Sequence, residues 1–159
     1  MSTRREWPGS ITNAVRSAVA LVVVGAIAVL LTWLQSDEVI RSWAKGNPSA
    51  QEILASGGMA TLRDSLIVPK FVPLALVSFV VFAVLLGVLT AFLMDGHGWS
   101  RLALTATSLF GVLVSSLGLN HDLPAALVVV SAIFLLLCLA LVFFLWRKDA
   151  SDYLRLHEV

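Results

Sequence analysis

Two pairs of a histidine and a carboxylate are the first candidates for chemistry in this 159-residue chain. His97 follows Asp95 by two positions, and His157 directly precedes Glu158. Imidazole and carboxylate groups can together bind a metal ion. Nothing in the spacing fixes one pair relative to the other, which favours solvated surface side chains over a metal site. We therefore assign no metal ligand and no cofactor.

A third histidine lies where a serine nucleophile could use it. His121 precedes Asp122, and Ser116 lies about one helical turn before that segment, next to Ser115. A serine and a histidine within hydrogen-bonding reach can form a nucleophilic site. The sequence has no G-x-S-x-G elbow and no recognisable oxyanion donor. We therefore assign no catalytic residue and predict that the protein is not an enzyme.

Other chemical motifs are missing from the sequence. The lone cysteine, Cys138, allows no disulfide within one chain and no cysteine-based metal cluster, and we interpret it as a small packing residue. Glycine-rich phosphate loops, dinucleotide fingerprints and Cys-x-x-Cys pairs do not occur. The net charge of +1 is too small to indicate a nucleic-acid partner.

The distribution of charge indicates the elements that must position these residues. Only 13% of the residues are charged and 58% are hydrophobic, whereas soluble domains average about 25% charged residues. Four windows contain no Asp, Glu, Lys or Arg, namely residues 17–36, 71–94, 102–121 and 123–146. As helices these windows span roughly 30–36 Å, enough to cross the hydrocarbon core of a bilayer. We predict an all-α fold, an integral membrane four-helix bundle that forms one domain over residues 1–159.

The ends of these windows define the predicted segments. A basic start before an apolar run is typical of a signal peptide, but residues 32–35 offer no small-x-small cleavage site, so we predict an uncleaved first span. The segments are a first span at about 14–36, an outer loop at 37–70, a second span at about 71–94, an inner turn at 95–100, a third span at about 101–119, an outer turn at 120–123, a fourth span at about 124–146 and a cytoplasmic tail at 147–159.

Capping signals divide the outer loop into short amphipathic helices. Asn47 and Pro48 combine a capping residue with a first-turn proline, and Gly57 and Gly58 end that piece. Amphipathic helices beside a membrane lie on its surface or cover the bundle. We expect this arrangement here, and a ligand or partner site in the loop is the alternative.

The basic residues predict which ends of the spans face the cytoplasm. With the N-terminus inside, the inner segments hold seven Lys or Arg residues and the outer segments hold four, which favours an N-in, C-in topology in the inner (plasma) membrane. Aromatic and basic residues at the span ends then serve as interfacial anchors. The predicted anchors are Trp7, Trp33, Trp99, Arg101, Trp146, Arg147 and Lys148. In the tail, we expect Tyr153, Leu154 and Leu156 to fold back along the membrane surface.

Small residues predict how the spans pack. Lipid tails are as apolar as leucine, so close approach of small residues, rather than hydrophobicity, brings membrane helices together. The helix-packing candidates are Ala83, Gly87 and Ala91 in the second span and Ala103, Thr107, Gly111 and Ser115 in the third. Since the inner turn makes these two spans antiparallel neighbours, we expect both sets to face each other in the tightest contact of the bundle.

Two short motifs resemble a known family. The sequence GHGWSR at 96–101 resembles the Gly-x-x-Trp-Ala-Arg turn of small four-helix membrane proteins that are abundant in actinobacteria. In that turn, a serine replaces the commoner alanine. The closing sequence LWRKDASDY at 145–153 resembles their apolar-Arg-x-x-Ser-x-x-Tyr tail, although the spacing of its serine and tyrosine differs. The family has no established activity. The resemblance therefore implies a four-span topology and an actinobacterial membrane, and it implies no mechanism.

The uncharged spans bear on function. An ionisable residue inside a membrane helix marks a functional site, because placing it there costs at least about 2.5 kcal/mol. The absence of such residues from the four windows disfavours proton-coupled transport and a charged ion-selective pore. We expect a structural or accessory membrane protein that contacts membrane lipids and associates with a respiratory or cell-envelope complex or with copies of itself. The alternative is a binding protein or carrier for a lipid or another apolar ligand, and a membrane enzyme is third.

The predicted topology can be tested by thiol accessibility. In the double variant Ser49→Cys, Cys138→Ala, the only thiol lies in the outer loop. A membrane-impermeant maleimide should label it in intact cells. Labelling that appears only after the membrane is permeabilised would contradict the N-in, C-in topology.

Overall fold

Four long apolar helices dominate the fold. The structure is a computed structural model that describes residues 7–119 and 122–157. Its helices are α1 (Gly9–Leu34), α2 (Ser36–Lys45), α3 (Pro48–Asp64), α4 (Phe71–Met94), α5 (Gly98–Leu119), α6 (Ala125–Leu145) and α7 (Lys148–His157). Each of α1, α4, α5 and α6 is long and apolar enough to cross a membrane. The prediction of an all-α, multi-pass membrane protein with four spans is therefore confirmed.

A Schellman turn joins α4 to α5. Gly96 has a φ of 89°, a left-handed conformation that costs glycine little. Its N–H donates to the carbonyl of Leu93 (3.1 Å), and the N–H of His97 donates to the carbonyl of Phe92 (3.0 Å). Gly98 already begins α5. One glycine in the left-handed region therefore reverses the chain, and the two helices lie antiparallel.

The buried core lies at one end of the bundle. This end, which we call the base, brings together the start of α1, the end of α4, the start of α5 and the end of α6. The buried residues of α1 all lie between Ser10 and Leu21, and those of α4 between Leu86 and Leu93. The remaining parts of these two helices contain no buried residue. Toward the other end α1 and α4 are therefore more open, whereas α5 and α6 keep buried residues there, namely Ser115 and Leu127.

The helix α6 is the one around which the others pack. It packs extensively against both α1 and α5, whereas the contact between α4 and α5 is smaller. The predicted tightest contact, between the second and third spans, is therefore wrong. A Cβ built at Gly111 would lie 2.9 Å from Sγ of Cys138 and 3.3 Å from Cε1 of Phe134, and both side chains belong to α6. Gly111 therefore allows the close approach of α5 to α6.

The two sets of small residues differ in burial. In α5, Gly111 and Ser115 are buried, while Ala103 and Thr107 are half-buried. In α4, Ala83 is half-buried, while Gly87 and Ala91 are exposed. A Cβ at Gly87 would meet nothing within 4 Å. The turn at Gly96 fixes which helices are neighbours, but it leaves open how far each helix is rotated about its own axis.

A smaller cluster lies between α1 and α4 in the sequence. Its buried members belong to α2 and α3, and the start of α4 packs against them. They are Ile40, Ala44, Ala50 and Leu62. Trp43 meets Phe71 edge to face, with ring centroids 6.3 Å apart. Asn47 caps α3 by accepting from the N–H of Ala50 (3.3 Å), and α3 breaks at Gly58, where φ is 73°. An ion pair between Arg63 and Asp37 ties the end of α3 to the start of α2.

The contact between α5 and α6 predicts the effect of a larger residue at Gly111. A leucine there must displace Cys138 and Phe134, so Gly111→Leu should lower stability by about 1–3 kcal/mol, the usual cost of overpacking. The matched control, Gly87→Leu, adds the same side chain to open space and should leave stability unchanged. The measurement is thermal unfolding in a mild detergent. Equal melting temperatures for the two variants would contradict the assigned contact.

Candidate functional site

An apolar groove occupies the open half of the bundle. Residues from all four long helices line it, and its volume is about 370 Å³. The lining comprises Gly25, Ala28, Ser78, Phe79, Phe82, Phe110, Gly111, Val114, Ser115, Val130, Ser131 and Phe134. Ligand sites commonly have volumes of about 300–1,000 Å³ and mostly apolar linings, so the size and character of the groove suit a ligand.

Two glycines shape the groove by letting aromatic rings approach the helix backbones. A Cβ at Gly25 would lie 3.0 Å from Cδ2 of Phe79, so the ring of α4 rests on the backbone of α1. Gly111 gives Phe134 the same access to α5. Phe134 in turn lies 5.5 Å from Phe82, measured between ring centroids. Aromatic pairs at such distances are attractive beyond their area burial, which helps to fix the walls of the groove.

The polar groups of the groove are hydroxyls. Ser78, Ser115 and Ser131 line it, and none of the described lining residues is charged. With this lining the groove can surround an apolar chain and donate or accept a hydrogen bond. Its rim includes Phe110 and Val114, which are 62% and 51% exposed, so the groove opens sideways between helices.

The base is the second place where candidate residues meet, because the inner turn and the tail come together there. The guanidinium of Arg101 lies 3.9 Å from the centroid of the Trp146 ring, and its Nη1 donates to Oγ of Ser151 (3.0 Å). Nε1 of Trp146 donates to Oγ1 of Thr105 (3.0 Å). The two anchors predicted from separate segments, Arg101 and Trp146, are thus direct partners.

The helix α7 closes the base. The hydroxyl of Tyr153 donates to the carbonyl of Met94 (2.9 Å), and Tyr153 and Leu154 are buried. The expectation that both lie along the membrane surface is therefore wrong, because the bundle end itself buries them. Leu156 is 78% exposed and remains available for such a surface.

The start of α1 also holds α7. The N–H of Ser10 donates to Oδ2 of Asp149 (3.2 Å), and Arg147 lies 3.7 Å from the other oxygen of that carboxylate. The contact with Ser10 holds the pKa of the Asp149 carboxyl below its ordinary value. Asp149 therefore remains an acceptor at neutral pH, next to the positive end of the α1 dipole.

The remaining predicted anchors are at the surface. Trp7, Trp33 and Trp99 are 40%, 62% and 51% exposed, and Trp33 lies near the end of α1 that is remote from the base. Arg147 and Lys148 are exposed beside the base. Their contact with lipid headgroups stays a prediction.

Of the two histidine–carboxylate pairs, only Asp95 and His97 have side chains that the structure describes; the side chain of His157 lies outside that description. His97 is exposed and lies against Phe92, with ring centroids 5.4 Å apart. His121 and Glu158 lie outside the described residues. Ser116 donates to the carbonyl of Val112 in its own helix (2.8 Å). Within residues 7–119 and 122–157, no three His, Cys, Asp or Glu side chains form a group that could hold a metal ion.

Several residues of the groove carry no signal that the sequence alone could reveal. Gly25, Ser78 and Ser131 belong to three different spans, and only their arrangement around one space makes them a set. Periodicity along one helix indicates a face, but it does not indicate which faces of different helices leave room between them.

The fold and its four spans define a multi-pass α-helical membrane protein. Comparisons with protein-family models, with characterised proteins and with solved structures give no match for this chain. The functional argument therefore depends on the geometry of the groove and of the base.

Proposed function

We propose that the protein is a non-enzymatic plasma-membrane protein that binds the apolar chain of a membrane lipid in the groove. The observation that supports this proposal most directly is an uncharged, phenylalanine-lined space of about 370 Å³ that opens sideways from the bundle. In the proposed N-in, C-in topology, the base lies at the cytoplasmic side and the groove lies in the outer half of the membrane. The family resemblance supports the same four-span arrangement.

The composition of the groove supports a lipid chain over a polar ligand. The groove walls are mainly apolar, and its three serines supply hydroxyl groups without charge. An acyl or isoprenoid chain could leave the bilayer through the rim near Val114 without crossing water. The ligand then exchanges one apolar environment for another, and affinity comes from close packing against Phe79, Phe82 and Phe134.

A second candidate function is an accessory role in a larger membrane complex or a homo-oligomer. The observation that favours it is the exposed set of small residues on α4, where Gly87 and Ala91 have no helix packed on them. Small residues four apart let helices approach closely in a bilayer. This face could therefore receive a helix of another chain while the groove holds lipid.

Lipid binding in the groove can be tested by blocking its rim. Val114→Trp places an indole at the groove, whereas Leu113→Trp adds the same side chain at a neighbouring position of similar exposure outside the groove lining. The probe is a fatty acid that carries a diazirine, and photolabelling of wild type and Leu113→Trp should be equal. Labelling of Val114→Trp should fall about ten-fold, since forcing bulk into a packed site costs about 1–3 kcal/mol and about 1.4 kcal/mol corresponds to ten-fold. Mass spectrometry of the labelled peptides locates the adducts.

A different labelling pattern would contradict lipid binding in the groove. Equal labelling of all three proteins, or adducts spread over the outward faces of the helices, would show that the chain contacts lipid only as bulk solvent.

The accessory role makes its own prediction. If the α4 face binds another chain, Gly87→Leu should remove stoichiometric partner proteins from material purified in a gentle detergent, while the melting temperature of the purified protein itself stays unchanged. Native mass spectrometry of wild type and variant provides the comparison. A wild-type protein that is monodisperse and carries only lipid would refute this candidate.

A further inference from the structure

A second cleft lies at the base, beside α5, α6 and α7. Its volume is about 360 Å³. The polar side chains that line it are Arg101, Ser151 and Arg155, and its apolar lining includes Leu102 and Trp146. We call this space the base cleft. It lies half a bundle away from the groove, and the two share no lining residue.

The lining of the base cleft is positively charged. Among the described residues, its lining contains two arginines and no Asp or Glu. Two other clefts in the described part of the chain place acids beside their cations, with Asp122 near Lys45 in one and Asp64 near Arg63 in the other. Gly98, in the first turn of α5, also faces the base cleft, and the start of a helix carries a positive partial charge. The base cleft therefore favours an anion.

The guanidinium of Arg101 is held in a fixed position at this cleft. It stacks on Trp146 and donates to Ser151, so this side chain is already ordered before a ligand binds. Binding therefore costs less conformational entropy. Arg155, by contrast, is exposed and can move toward a ligand. The planar fork of arginine matches the oxygens of a phosphate, and two arginines can contact one phosphate from different sides.

The rim of the base cleft indicates what is attached to the anion. Leu102 is 61% exposed and Trp146 is 52% exposed, and both lie at the ends of spanning helices. Tryptophan at a span end lies at the level of the lipid headgroups. A ligand that fits has an anionic group at the arginines and an apolar part that extends along α5 and α6.

We propose that the base cleft binds the phosphate of an anionic phospholipid, with its acyl chains lying along the outward faces of α5 and α6 beside Leu102 and Trp146. Arg101 is the preorganised contact, Arg155 closes on the opposite side, and Ser151 keeps Arg101 in place. This site is independent of the groove, and the proposal stands whether or not the groove holds a chain.

The proposal is tested by quenching of Trp146. The reporter protein keeps Trp146 as its sole tryptophan. Its other tryptophans, Trp7, Trp33, Trp43 and Trp99, are replaced by phenylalanine. Phosphatidylglycerol with brominated chains is added to the protein in a zwitterionic detergent, and brominated phosphatidylcholine is the comparison lipid. Arg155→Gln removes a cation of the cleft, and Lys148→Gln removes an exposed cation of the same end that does not line it.

We expect saturable quenching by phosphatidylglycerol at a mole fraction at least about five-fold lower than for phosphatidylcholine, the factor that one cation near a membrane surface contributes. Arg155→Gln should abolish this preference, and Lys148→Gln should keep it within about two-fold, because a charge outside the cleft acts only through the screened surface potential. Equal losses in both variants would show diffuse attraction and overturn the proposal. Displacement by inorganic phosphate would also overturn it, since the site would then bind free phosphate.

A second measurement tests the same proposal if the single-tryptophan reporter protein does not fold. Native mass spectrometry of the chain with all its tryptophans counts bound phosphatidylglycerol directly in wild type, Arg155→Gln and Lys148→Gln. One tightly retained lipid in wild type and in Lys148→Gln, and none in Arg155→Gln, supports the base cleft. Equal retention in all three proteins contradicts it.

Discussion

The close approach of α5 and α6 at Gly111 is the contact on which the rest of the bundle depends. In lipid, two apolar helices gain little from burying leucines against each other, so association requires close packing. Gly111 provides it, because Cys138 and Phe134 occupy the space that a side chain would fill. The position of Phe134 then determines one wall of the groove. Further along the same antiparallel pair, Arg101 and Trp146 meet at the base.

Polar contacts close the base, at a depth in the membrane where the desolvation cost of polar groups is small. The interactions between Arg101 and Ser151, between Trp146 and Thr105 and between Tyr153 and the Met94 carbonyl all join helix ends. Polar side chains at span ends can reach interfacial water, which avoids the desolvation cost of the membrane centre. No comparable set of contacts between long helices occurs in the described part of the open half. Closure at one end and separation at the other therefore follow from where the polar residues lie.

The sequence predicted the spans well and their mutual arrangement poorly, for physical reasons. The helix α4 begins at Phe71 and ends at Met94, as predicted from charge, because Lys70 and Asp95 limit the apolar run on both sides. α1 begins at Gly9, about one turn before the predicted start, because Ile11 and Ala14 are buried against the base. Burial at the base outweighs the local polarity of residues 9–13, and no window of hydropathy contains that information.

The choice of packing partner needed a different kind of information. The small residues of α4 and α5 have the same spacing, so periodicity could not show that Gly87 faces outward while Gly111 faces α6. A rotation about the helix axis distinguishes the two, and side-chain volumes on α6 decide it. The groove depends on the same rotation, since it is the space left where Phe79 and Phe134 rest on glycines. Gly111 therefore has two effects that one substitution cannot separate, because a larger residue changes both the stability of the bundle and the shape of the groove. Val114 lies at the rim and is 51% exposed, so a substitution there changes the groove with less effect on packing than one at the buried Gly111, and for that reason it separates ligand binding from folding.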